Sequence, residues 1–219
     1  MKKSDILEHY RKRRDKIESR LQEFREFRDA DEKRKFLELT FVILTSRTDA
    51  EKSWEAALEL EEKGKLLAGE PDEVRSILEE KGVQYADDKS KYIAENREML
   101  SQPTLSNPEK RLKISSRIDP EDLESSRRWL AENVSGIGWK GASHFLRNIG
   151  YGDNFAIISG HILDAMVQLG LSETSEPPSS RDEYLEKEKR LREFAEDTGI
   201  DIKALDLVFW SMKTGQVFK

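Results

Sequence analysis

The stretch Val134-Ser-Gly-Ile-Gly-Trp-Lys-Gly-Ala-Ser-His-Phe-Leu-Arg-Asn148 constrains this chain more than any other. It spells the end of one helix, a tight turn, and the start of a second helix. Gly136 and Gly138 flank Ile137, and Lys140 opens the second helix. Glycine accepts positive φ, and bare alternate positions let main-chain N–H groups face outward, where an anion can sit. The N-terminus of the following helix adds the positive end of its dipole. Such a turn grips a phosphate without reading a base sequence. The same residues also suit a plain helix corner capped by glycine, so the rest of the chain has to decide between the two.

The composition narrows the choice. With 219 residues, the chain suits one large domain or two small ones built together. It has no cysteine, which removes disulfides, thiol nucleophiles and cysteine-held iron–sulfur clusters. Its three histidines, His9, His144 and His161, are too few for a structural zinc site, and no metal or other cofactor is expected. There is no long apolar run and no secretory signal pattern, so no membrane association and an intracellular, cytoplasmic location are expected. The net charge of −6 argues against a nucleic-acid binder. Binding, however, responds to charge within about 8 Å at physiological salt. Two local basic patches exist. One is Lys110-Arg-Leu-Lys113 with Arg117. The other runs from Gly138 to Gly150 and holds Lys140, His144 and Arg147 without a single acid.

Taken in order, the chain reads as helices. Ser4 to Asp29 carries a narrow apolar stripe of Ile6, Tyr10, Ile17, Leu21 and Phe24 at helical spacing. Asp31 to Leu44 turns apolar on most faces, as a helix in the centre of a bundle does. Asp49 caps a helix through Trp54, Ala57 and Leu60, and Pro71 opens another at its first position. Asp87-Asp88 is expected to cap a helix from Lys89 to Leu100. Residues 101 to 118 read as a polar connector with room for a short helix around Leu112. Asp119-Pro-Glu-Asp122 is a helix start leading to Asn133. After the hairpin, Phe155-Ala-Ile-Ile158 reads as buried extended chain without a partner strand. Ser159 then caps a helix from Gly160 to Leu169, and helices over 181–198 and 201–212 close the chain. The expected class is all-α with two helical lobes. Residues 1–118, joined by 181–219, form one lobe, and residues 119–170 form the other.

Gly136-Ile-Gly-Trp-Lys140-Gly-Ala-Ser-His-Phe-Leu-Arg-Asn148, followed by Ala156-Ile-Ile and then His161-Ile-Leu, resembles the helix-hairpin-helix DNA glycosylases. It looks most like their type 2 8-oxoguanine DNA glycosylase/AP lyase branch. The ending Leu205-Asp-Leu-Val-Phe-Trp-Ser-Met-Lys-Thr-Gly-Gln-Val-Phe-Lys219 is similar to that branch's ending, and Phe36 to Ala50 and Gly82 to Met99 look like its N-terminal helices. The resemblance implies a monomer that acts on double-stranded DNA containing 8-oxoguanine and needs no cofactor. In a prokaryote it would work at the nucleoid. A flipped base would enter a pocket. Lys140 would attack the deoxyribose C1′, displace the base and form a Schiff base, and β-elimination would then nick the strand. An attacking amine must first lose its proton, and the positive potential at a helix start pushes in that direction.

The resemblance also assigns the remaining residues. Gly136, Gly138, Arg147 and His161 would hold the DNA backbone. Trp210, Met212, Phe218 and Lys219 would line the base pocket, with core packing the alternative for Trp210, and Tyr85 would lie near the lesion or in the core. Trp139 would wedge the DNA or simply cover the hairpin. One position departs from the family pattern: Ser159 stands where the family carries an aspartate that assists the lysine and stabilises the positively charged sugar. Serine is a comparable helix cap but carries no charge. Asp164 points away from that position, which leaves Asp153 in the preceding loop as the candidate carboxylate to reach back. The alternative reading is a non-catalytic module that binds damaged or distorted DNA on the same fold. A glycosylase for another base is a third.

Overall fold

A computed structural model describes residues 1–104 and 107–219, with the backbone alone for 102–104 and 107–110. In chain order the helices are α1 (Lys3–Glu26), α2 (Glu32–Leu44), α3 (Ala50–Glu62), α4 (Lys65–Ala68), α5 (Pro71–Glu80) and α6 (Ala86–Leu100). Strands β1 (Ser101–Thr104) and β2 (Asn107–Leu112) come next, followed by α7 (Leu123–Asn133), α8 (Trp139–Asn148), α9 (Gly160–Gln168), α10 (Arg181–Thr198) and α11 (Ile202–Thr214). Among the described residues no helix is long and apolar enough to cross a membrane.

The helical class holds, with three local differences from expectation. The polar connector is a two-stranded antiparallel hairpin, with Ser101 opposite Leu112 and Gln102 opposite Arg111. Leu112 ends a strand, and the short helix is a 3-10 turn at Ile114–Arg117. Pro103 and Pro108 favour extended backbone and lack an N–H, which a ribbon made entirely of edge strands tolerates. The Lys110 side chain of the expected basic patch lies outside the described residues. At the start of α6 the capping position falls to Tyr85 in a left-handed conformation (φ 59°), while Asp87 pairs with Lys91 at 2.6 Å. The start of α7 falls at Asp122, whose carboxylate accepts from Ser125 N at 3.0 Å. Asp119 instead closes the preceding turn by accepting from Glu121 N at 3.0 Å.

The chain divides into two compact units, one of residues 1–28 and 146–219 and one of residues 29–145. This cuts the chain differently from the expected lobes, because the boundary falls inside α8 rather than ahead of α7. In the second unit α2 is the central helix: every residue from Lys35 to Leu44 is buried, and α3 and α6 pack on it. Phe41 meets Trp54 edge to face at 5.6 Å. Burial on all sides explains the apolar run, and the two charged side chains within it have partners. Lys35 Nζ donates to Ser115 Oγ at 2.8 Å, and Glu38 pairs with Arg34 at 3.0 Å.

In the first unit α11 is central. Its Leu205, Leu207, Val208 and Phe209 are buried, and α1, α9 and α10 pack on it. Ile6, Ile17, Leu21 and Phe24 turn the expected stripe of α1 into the core, while Tyr10 is half-buried. Phe155 to Ile158 is buried, as expected, and belongs to no helix or strand. A buried segment outside helix and sheet needs other partners for its backbone. Helix α10 supplies them: Ala156 N donates to Glu188 Oε1 at 2.8 Å, and Tyr184 Oη donates to Ala156 O at 2.7 Å. This splint brings the chain to Ser159 in one defined position.

Candidate nucleic-acid interface and active site

The turn of the hairpin and the first part of α8 lie in the second unit. Helix α7 ends with Val134 N donating to Leu130 O at 3.0 Å, and the turn passes through Gly136 at φ 86°. A side chain at Gly136 is excluded twice over. The φ disfavours any L-residue, and an added Cβ would lie 2.6 Å from the Tyr92 ring. Gly138 is exposed, with open space where a side chain would be. Ala142 N then donates to Gly138 O at 2.8 Å, which closes the first turn of α8.

What holds the hairpin was not legible from its own residues. Asn96, buried on α6, grips Ser135 in both directions. Its Nδ2 donates to Ser135 O at 2.8 Å, and its Oδ1 accepts from Ser135 N at 2.9 Å. Arg127 on α7 is fully buried, pairs with Glu124 at 2.9 Å, and places its guanidinium 4.9 Å from the centre of the Trp139 ring. Trp139 therefore covers the hairpin from α8 in a cation–π stack. Lys140 follows it in the first turn of α8 and is half-buried.

Beside Gly136 a cleft of about 260 Å³ is lined by Ser46, Arg47, Tyr85, Lys89 and Tyr92 among others. Arg47 and Tyr85 both hold left-handed backbone at φ 58° and 59°. Tyr85 is 62% exposed, which excludes the core-tyrosine reading. Lys89 is buried beneath them. Its Nζ donates to Leu44 O at 2.8 Å, Ser46 O at 2.7 Å and Thr48 Oγ1 at 3.0 Å. It thereby closes the C-terminal end of α2, where a cation is favoured by the helix dipole. Burial pushes its amine down to about 8.

The first unit gathers Ser159, His161, Arg147 and Trp210 around a residue that sequence reasoning missed, Asp206 on α11. Ser159 occupies the cap position of α9, but its hydroxyl makes no cap hydrogen bond. Instead, Ser159 Oγ donates to Asp206 Oδ1 at 3.0 Å. His161 Nε2 lies 2.9 Å from the same oxygen, and Arg147 Nη2 lies 3.7 Å from Asp206 Oδ2. Arg147 and His161, expected to hold the DNA backbone, are here both directed at Asp206. Arg147 is 2% exposed, with its guanidinium 4.6 Å from the centre of the Phe24 ring, and His161 is turned inward onto a carboxylate. Asp153 does not reach back to Ser159, because its carboxylate pairs with Lys203 at 2.7 Å.

Of the expected base-pocket residues, Trp210 joins this cluster, with its ring 5.4 Å from that of His161. Its indole Nε1 is buried without a hydrogen-bond partner among the described residues. Met212, Phe218 and Lys219 are half-buried on the chain that continues past it. The signal that could have found Asp206 is its position. It is an acid inside the most apolar run of the C-terminal helix, and a buried acid needs partners.

A helical chain carrying a glycine turn that opens onto a lysine-bearing helix has the helix-hairpin-helix DNA glycosylase fold. A profile described as 8-oxoguanine DNA glycosylase matches residues 17–200, and the chain belongs to that family. It is 38% identical over 206 residues to a Korarchaeum cryptofilum protein named 8-oxoguanine DNA glycosylase/AP lyase, covering 94% of this chain and 91% of that one. It is 31% identical over 217 residues to a Fusobacterium nucleatum protein of the same name, covering 99% and 97%. Among solved structures, the 8-oxoguanine DNA glycosylase of Thermotoga maritima superposes with a TM-score of 0.85 at 30% identity, covering 99% of this chain and 98% of that one. A Methanocaldococcus jannaschii 8-oxoguanine glycosylase/lyase in complex with a 15mer DNA containing 8-oxoguanine superposes with a TM-score of 0.81 at 31% identity, covering 97% and 99%.

Proposed function

We propose that this chain is a bifunctional DNA glycosylase/AP lyase that removes 8-oxoguanine from duplex DNA, with Lys140 as the nucleophile. The observation that carries the reading is the position of Lys140. It stands in the first turn of α8, directly after the exposed Gly136–Gly138 turn, in a chain whose relatives carry this activity in their names. The relative from Methanocaldococcus jannaschii, structurally similar over nearly the whole chain, holds DNA with 8-oxoguanine.

The chemistry follows from an uncharged amine. Its lone pair forms a bond to C1′ while the glycosidic bond breaks, and that bond's electron pair leaves with the base, which takes up a proton. The amine nitrogen then gives up a proton, the sugar ring opens with its oxygen protonated, and an iminium remains between Nζ and C1′. Loss of a C2′ proton expels the 3′ phosphate and nicks the strand. Hydrolysis of the iminium returns the lysine. The exposed turn amides of Gly136 and Gly138 would hold the backbone phosphate. Trp210, whose buried indole N–H has no hydrogen-bond partner among the described residues, is the foremost candidate to face the flipped base, with Met212, Phe218 and Lys219 beyond it.

Borohydride trapping on a duplex with one 8-oxoguanine tests the reading. A covalent adduct is expected, and it should vanish in Lys140→Ala. One observation favours a second reading, a damage-binding module without catalysis: Ser159 is neutral where the resemblance expects an acid. Tight binding with neither base release nor adduct would establish that reading instead.

A further inference from the structure

We propose that Asp206 is the positioning carboxylate of this chain, acting through Ser159 to supply the negative charge that a serine cannot carry. The proposal rests on the glycosylase reading above and deepens it. Its ground is geometric. Ser159 has the backbone position of a helix cap, yet its hydroxyl is turned away from the cap and donates to Asp206 Oδ1 at 3.0 Å. Ser159 Oγ also lies 3.1 Å from both ring nitrogens of His161, and that ring approaches the same carboxylate oxygen at 2.9 Å. A buried carboxylate thus stands one hydrogen bond behind the position from which charge is missing.

A hydroxyl that donates to a carboxylate has electron density pushed onto its own oxygen, and the full charge follows a few ångströms behind. In a site shielded from water such a charge is felt over that distance, because the effective dielectric is well below that of the solvent. Arg147, 3.7 Å from the other carboxylate oxygen, and His161 hold Asp206 in place. Arg147 is in turn held by the Phe24 ring at 4.6 Å, so the carboxylate is preorganised rather than drawn in on demand.

Adding a carboxylate by Ser159→Asp alone does not isolate this effect. It places two acids at hydrogen-bond distance, and one of them will hold a proton. The informative variant moves the charge instead. Single-turnover release of 8-oxoguanine from a duplex, the duplex Kd and the melting temperature are measured for wild type, Ser159→Ala, Asp206→Asn and the pair Ser159→Asp/Asp206→Asn. The two single variants are expected to slow base release by about 10-fold or more with unchanged duplex affinity, and the pair is expected to recover the loss. A role confined to holding the fold would lower melting temperature without this rate-only pattern. Either single variant excising at the wild-type rate overturns the proposal. So does a double variant that melts like wild type but stays as slow as Asp206→Asn. If Asp206→Asn loses its melting transition, Ser159→Ala decides alone, since it leaves Asp206 facing Arg147 and His161: slow release supports the proposal and a wild-type rate overturns it. A wild type that binds the duplex but yields neither free base nor adduct overturns the glycosylase reading and the proposal together. With an active wild type, the variants bear on the proposal alone.

Discussion

Asn96 and Ser135 are joined in both directions: the amide donates to the Ser135 carbonyl at 2.8 Å and accepts from its N–H at 2.9 Å. A side chain on α6 thus replaces the strand or helix neighbour that the hairpin backbone lacks. Asn96→Ala leaves both backbone groups without their side-chain partner in a half-buried place, at a cost of about 1–2 kcal/mol. Thermal unfolding should register that loss, and affinity for undamaged duplex should fall with it, because the turn amides lose their fixed direction. A variant that melts lower but binds DNA as tightly would separate the clamp from the hairpin's function.

Gly136 answers to a different constraint. At φ 86° and with the Tyr92 ring 2.6 Å from any added Cβ, Gly136→Ala should cost at least about 1–2 kcal/mol. The companion Tyr92→Ala removes the clash but not the backbone strain. Combining the two should recover only part of the lost stability in urea titrations.

Arg147 lies beside the basic turn in sequence but within the core in space. Arg147→Met should destabilise the fold by about 3–5 kcal/mol, because Asp206 loses a buried cation. The slope of log affinity against log salt for duplex binding should not change, since a guanidinium 2% exposed releases no counterion. A shallower slope in the variant would return Arg147 to the phosphate.

Lys89 makes stability depend on pH in a calculable direction. Burial takes its amine from 10.5 in the unfolded chain to about 8 when folded. Between those values the unfolded chain keeps a proton that the folded chain has released, so a rise in pH favours the folded state. The full difference is on the order of 3 kcal/mol. Measured by urea unfolding, the stability of wild type relative to Lys89→Met should therefore climb from pH 8 to pH 10.5. A flat difference would show that the three oxygen acceptors of Nζ keep the ammonium charged throughout.

Much of the architecture was legible because it is written in local chemistry. Asp31, Asp49 and Pro71 mark helix starts by capping and by ring geometry, which depend on neighbours in sequence and hold in the fold. The expected caps that failed, Asp87-Asp88 and Asp119, are those where a left-handed turn at Tyr85 took the position or where several acids competed and Asp122 won. The strand pair over 101–112 was read as a connector because two prolines in a short polar segment give no alternating pattern.

The candidate site divides in the same way. Gly136, Gly138 and Lys140 are contiguous, so a turn and the start of a helix place them without help from elsewhere, and the amino-acid sequence by itself determined that hairpin and the helical class. Asp206 lies 47 residues from Ser159 and Asn96 lies 39 residues from Ser135. Nothing in local propensity joins such pairs. Only the tertiary structure decided that Arg147 and His161 turn inward, that Asn96 clamps the hairpin, and that a carboxylate stands behind Ser159. The physical reason is that a buried polar group must find its partner wherever packing brings one within about 3 Å, and packing is a property of the whole chain.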